Sequence, residues 1–110
     1  MHTLILSLFV SAALLGIFLL SRIILKKPLP KRVAIAHGVF AVSGLISLIL
    51  YTIEHPDLLT TLLVLGGAAL GGTYMLITHR SGKKLPQFIP FVHGSVGIIG
   101  LILLIYYFYG

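Results

Sequence analysis

Four long apolar runs, separated by short polar connections, leave this chain little to fold into except membrane-spanning helices. They lie at about Thr3–Leu25, Val33–Ile53, Leu58–Thr78 and Phe88–Tyr109. Each approaches the roughly 20 residues that a helix rising about 1.5 Å per residue needs to cross about 30 Å of hydrocarbon. With 58% hydrophobic and 9% charged residues, the composition is far from that of a soluble domain. The expected fold is all-α, an integral membrane four-helix bundle forming one transmembrane domain over residues 1–110. The first run has no basic segment ahead of it and exceeds the apolar stretch of a secretory signal, so it is expected to be a resident helix.

The eight Lys and Arg residues are confined to two places. Arg22, Lys26, Lys27, Lys31 and Arg32 flank the first connection, and Arg80, Lys83 and Lys84 flank the third, whereas both acids, Glu54 and Asp57, fall in the second. A net charge of +6 distributed this way points to a membrane surface rather than to nucleic acid. The positive-inside rule makes the first and third loops cytoplasmic and places both termini outside, and the expected location is a bacterial inner membrane. Tyr51, Tyr106, Tyr107 and Tyr109 gather toward the outer face, as an interfacial aromatic belt would.

The chain also resembles itself. A shift of 56 residues, the interval from His37 to His93, superimposes Ala12-Ala13-Leu14 on Ala68-Ala69-Leu70, Gly16 on Gly72, Lys27 on Lys83 and Leu29-Pro30 on Leu85-Pro86. It also carries Gly44-Leu45-Ile46 onto Gly100-Leu101-Ile102 and Tyr51 onto Tyr107. An abundance of Leu and Ile does not produce matched Pro, His and Gly positions. The reading is two parallel tandem repeats of a two-helix hairpin, at about residues 1–55 and 57–110. Two crossings per unit relate the copies by a pseudo-two-fold axis along the membrane normal. Pro30 and Pro86 precede the second and fourth helices, Pro90 sits in a first turn where it is tolerated, and Pro56 breaks the chain between the second and third.

Histidine within a span is expensive and demands a reason. On the second helix His37 shares a face with Ala41 and Gly44, and on the fourth His93 shares one with Gly97 and Gly100; Gly38 and Gly94 follow the two histidines directly. Small residues of this kind also serve close helix packing, and Ala12, Gly16, Ala68, Gly72 and the Gly67/Gly71 pair have that pattern without any histidine. Diagonal axes in a square bundle are roughly 11–14 Å apart, which favours a broad ligand between two inward-reaching imidazoles over one shared zinc. Zinc also lacks ligands, because the spans hold no carboxylate and the chain has no cysteine.

The expected cofactor is one haem b per chain, with His37 and His93 as axial ligands to the iron and the small-residue stripes making room for the macrocycle. Each histidine lies roughly 7–8 Å inside the cytoplasmic boundary. The haem propionates would then meet Lys31, Arg32, Arg80 and Lys83, with His79 as a further donor. His2, His55 and His79 have no counterpart at the repeat interval and are assigned to terminal or interfacial positions, with weak metal binding at His55 beside Glu54 and Asp57 as the alternative for that residue.

Paired histidines on different helices of a small bundle, followed by glycines, resemble the membrane b-type cytochromes, including the cytochrome b561-like and quinol-linked b subunits. That resemblance implies electron transfer, with a quinone or a redox protein as partner, alone or as an anchor subunit of a larger membrane complex rather than as a complete enzyme. It covers the ligand pair and the architecture. Two histidines per ligand helix, common where two haems stack across the membrane, are not found here. The length and four spans are also similar to small multidrug-resistance transporters, but those carry an essential acidic residue in the first helix, whereas this first helix has only Ser7, Ser11 and Ser21 as polar interior groups and no span holds an acid. Two other readings stand beside electron transfer: a structural or assembly subunit whose histidines hydrogen-bond between helices, and a histidine-dependent small transporter.

Overall fold

The computed structural model describes Met1–Gly110 and contains four helices and no strand: α1 (His2–Ile24), α2 (Lys31–Glu54), α3 (Leu59–Arg80) and α4 (Phe88–Tyr109). A single 3-10 turn, Pro56–Leu58, joins α2 to α3. All four helices are long and apolar enough to cross a membrane, and the bundle measures 41 × 20 × 19 Å. The sequence-derived boundaries hold to within about two residues. The second helix starts earlier than the apolar run because Pro30, with φ −65° and ψ 120°, supplies an extended entry directly before Lys31.

Both hairpins turn through the same device. After α1, the N–H of Lys26 donates to the Ile23 carbonyl and that of Lys27 to the Arg22 carbonyl; after α3, Gly82 donates to His79 and Lys83 to Thr78. Each closes the helix with a left-handed residue, Lys26 at φ 55° and Gly82 at φ 71°. Glycine takes that conformation freely, whereas a lysine with its Cβ does not.

The helices form a square. α1 packs against α2 and α4, α3 packs against α4 and α2, and α2 and α4 occupy opposite corners. The two basic connections share one end, and the termini and the Glu54–Leu58 turn share the other. There the His2 ring lies 5.2 Å from that of Phe108, and the Tyr107 hydroxyl donates to Asp57 Oδ1 at 3.0 Å.

Packing is unequal along the bundle. The buried apolar cluster of Ile5, Phe9, Leu48, Leu58, Leu65 and Leu104 lies entirely in the half that carries the termini. Toward the basic end, burial is confined to small or rigid residues, Ala12 and Ala68 near mid-depth and Pro90 close to the boundary. Most of the remaining apolar surface faces outward, as at Leu14, Leu63, Leu70 and Ile102. Lipid tails are as apolar as leucine, so van der Waals fit between helices, rather than water exclusion, holds such a bundle together.

Buried positions recur at an interval of 56 residues: Ile5 with Thr61, Phe9 with Leu65, Ala12 with Ala68, Gly44 with Gly100 and Leu48 with Leu104. The contacts recur as well. A Cβ on Gly44 would stand 3.2 Å from the Phe9 ring, and one on Gly100 would stand 2.5 Å from the Leu65 side chain.

Candidate functional site

His37 enters the bundle six residues after the start of α2 and His93 five residues after the start of α4, about 9 and 7.5 Å along their axes at 1.5 Å per residue. Opposite corners of the square send both side chains inward, and both rings are half-buried. Their centroids are 6.1 Å apart and their planes stand at 87°.

Each imidazole is tied to the neighbouring helix of its own hairpin. His37 Nδ1–H donates to the Ala12 carbonyl at 2.7 Å, and His93 Nδ1–H donates to the Ala68 carbonyl at 2.8 Å. A backbone carbonyl can only accept, so Nδ1 must carry the proton in both rings. A neutral imidazole held in this way has its lone pair on Nε2, the arrangement by which a metal-binding histidine is oriented through its other nitrogen. Neither Nε2 has a protein partner, and neither is sealed in the interior.

The ring separation bears on what the pair can hold. Metal–nitrogen bonds of about 2.0–2.1 Å, plus about 1 Å from nitrogen to ring centre, put two imidazoles on opposite sides of one metal ion about 6 Å apart. Axis-to-axis distance does not set the reach of the pair, since both side chains extend toward the centre; contrary to the expectation from axis spacing, the rings come close enough to share a single ion. Zinc is instead disfavoured by its missing ligands. No group of three or more His, Asp, Glu or Cys side chains converges anywhere in the structure. Two imidazole nitrogens suit an iron whose four equatorial positions come from a macrocycle.

The remaining expected site residues divide into three groups. Gly38, Gly94 and Gly97 have nothing within 4 Å of where a Cβ would be, and Ala41 is half-buried. Gly44 and Gly100 lie on the expected faces, but Phe9 and Leu65 fill the space over them, so they serve helix packing. Lys31, Arg32, Arg80 and Lys83 are exposed at the end of the bundle nearest the histidines, as is His79. His55 forms no metal cluster; its Nδ1–H donates to the Tyr51 carbonyl at 2.9 Å and its ring stacks on Tyr51 at 3.9 Å. Tyr106 and Tyr109 are exposed as a belt requires, whereas Tyr51 and Tyr107 turn inward toward His55 and Asp57.

Two residues of the site were not legible as such. Gly16 and Gly72 lie directly beneath the imidazoles, with their Cβ positions 3.0 Å from His37 Cε1 and 3.1 Å from His93 Cε1. Their recurrence four residues after Ala12 and Ala68, at the same interval as the histidines, was the available signal. No protein family, no curated protein and no solved structure matches this chain.

Proposed function

We infer that the protein is a b-type cytochrome-like electron carrier that holds one haem b between His37 and His93. The observation that carries this reading is the matched pair of imidazoles, each fixed through Nδ1 with Nε2 unpartnered, at a separation suited to axial ligation of one iron. Haem would supply reversible one-electron chemistry. The chain's own residues do the rest: the Ala12 and Ala68 carbonyls hold the ligand tautomer, and Gly38, Ala41, Gly94 and Gly97 leave room. The thinly packed basic half would take the large planar group. Lys31, Arg32, Arg80 and Lys83 offer charge-assisted hydrogen bonds to carboxylates at that end.

The repeated contacts support a tandem duplication of a two-helix hairpin in which each copy contributes one ligand and its own seat. The charge distribution supports cytoplasmic basic loops with both termini outside, in a bacterial inner membrane. With ligands at one depth only, electrons enter and leave at the basic end, from a quinone or a redox protein, either directly or within a larger membrane complex.

A second reading has a specific observation in its favour. The Nδ1–carbonyl bonds are interhelical hydrogen bonds, and a structural subunit would need nothing more. His37→Gln and His93→Gln separate the two, because an amide can donate to the carbonyl but does not replace imidazole on iron. Electron transfer predicts loss of the low-spin haem spectrum with the helical bundle retained. The structural reading predicts a folded, colourless protein both before and after substitution.

A further inference from the structure

Gly16 and Gly72 read as ordinary packing glycines in the sequence, yet the space above each is taken by an imidazole rather than by another helix. A Cβ on Gly16 would lie 3.0 Å from His37 Cε1 and 3.4 Å from Nδ1; one on Gly72 would lie 3.1 Å from His93 Cε1 and 3.6 Å from Nε2. One turn earlier on the same helix faces are Ala12 and Ala68, whose carbonyls receive the two Nδ1–H groups. Each ring is therefore held at one edge by a hydrogen bond and supported beneath by a backbone with no side chain. Gly66, Gly67 and Gly97 have no neighbour within 4 Å at the Cβ position, so close approach to a histidine is particular to Gly16, Gly72 and, more loosely, Gly71 at 3.7 Å.

We propose that Gly16 and Gly72 are positioning residues, one for each histidine, which let the imidazole settle against the neighbouring helix and so set its rotation and its Nδ1–carbonyl bond. A methyl group at either position forces the ring to move by a few tenths of an ångström, and the ring is the mobile partner because the helix backbone is not. Rotation changes two things at once: the length of the Nδ1 hydrogen bond, which tunes the electron donation of Nε2, and the near-perpendicular relation of the two ring planes. Only the second of the two readouts below rests on the haem reading.

The first readout uses the haem-free protein in detergent, with histidine labelled with ¹⁵N and ¹³C. The wild type should give two rings protonated at Nδ1. Gly16→Ala should shift the His37 Nδ1 and Cε1 resonances and leave those of His93 in place; Gly72→Ala should do the reverse, and Gly66→Ala should move neither ring. Should Gly16→Ala fail to form a bundle, adding His37→Ala removes the clashing ring and should restore folding. The proposal is overturned if the alanine variants leave their own histidine unmoved, shift both rings alike, or are not restored by removing the ring.

The second readout is the EPR spectrum of the haem-loaded ferric protein, whose g anisotropy depends on the angle between the axial imidazole planes. Gly16→Ala and Gly72→Ala should retain the Soret band but change the largest g value and the reduction potential, with Gly66→Ala like wild type. An unchanged spectrum and potential would count against the positioning role. The absence of any Soret band in the wild type would instead remove the haem reading and leave the ¹⁵N experiment to decide this proposal.

Discussion

His93 Nδ1 and the carbonyl of Ala68 are 2.8 Å apart, and 56 residues earlier His37 Nδ1 and the carbonyl of Ala12 are 2.7 Å apart. In each case 25 residues separate donor from acceptor, so each bond closes one helical hairpin on itself. A membrane-embedded imidazole needs a partner for its N–H, and here the same solution occurs twice. The consequences extend to stability, to the space around the histidines and to the charged end of the bundle.

Gly100 tests the packing between α3 and α4. Because a Cβ there would stand 2.5 Å from Leu65 Cδ2 and 2.7 Å from Cγ, Gly100→Ala overpacks the seam. We expect a loss of about 1–3 kcal/mol. Adding Leu65→Ala should recover part of it, as measured by unfolding in a detergent–denaturant series.

Gly94 and Gly97 test the opposite case. Both have open space at the Cβ position, so Gly94→Val and Gly97→Val should leave the haem-free bundle folded while reducing the haem retained after purification. The haem-to-protein ratio checks this. Equal retention by both variants and wild type would place the macrocycle elsewhere.

Lys26 adopts a left-handed conformation where the equivalent turn has Gly82. Lys26→Gly should stabilise the protein by about 1 kcal/mol through relief of the Cβ clash. Gly82→Val should destabilise it by a similar or larger amount. Thermal unfolding of the two variants in one detergent gives the comparison.

Lys31, Arg32, Arg80 and Lys83, at the histidine end of the bundle, should raise the reduction potential of a bound haem, since nearby positive charge disfavours the ferric state. Replacing Lys31, Arg32, Arg80 and Lys83 by Gln is expected to lower the potential and to weaken its dependence on ionic strength, because exposed charges are screened over about 10 Å at 0.1 M salt. Redox titration at two salt concentrations measures both effects.

Helix number, helix ends and the shared histidine depth were readable because apolar run length and proline position act locally along the chain. Partner identity was not. Gly44 and Gly100 lie on the expected faces, but which side chain covers them depends on how α1 and α3 approach, and Phe9 and Leu65 fill the space. Gly16 and Gly72 posed the reverse problem: their small size was visible, but only the fold brings an imidazole from the next helix over them. Lys26 carried no turn signal either, because lysine rarely adopts that conformation and the hairpin geometry imposes it.

The absorption spectrum of the purified protein, expressed with ample haem, addresses the central claim most directly. The account predicts a Soret band and a reduced spectrum of six-coordinate low-spin haem at one haem per chain, with that state abolished by either His37→Ala or His93→Ala. A colourless wild-type protein, or a haem spectrum indifferent to both substitutions, would contradict it.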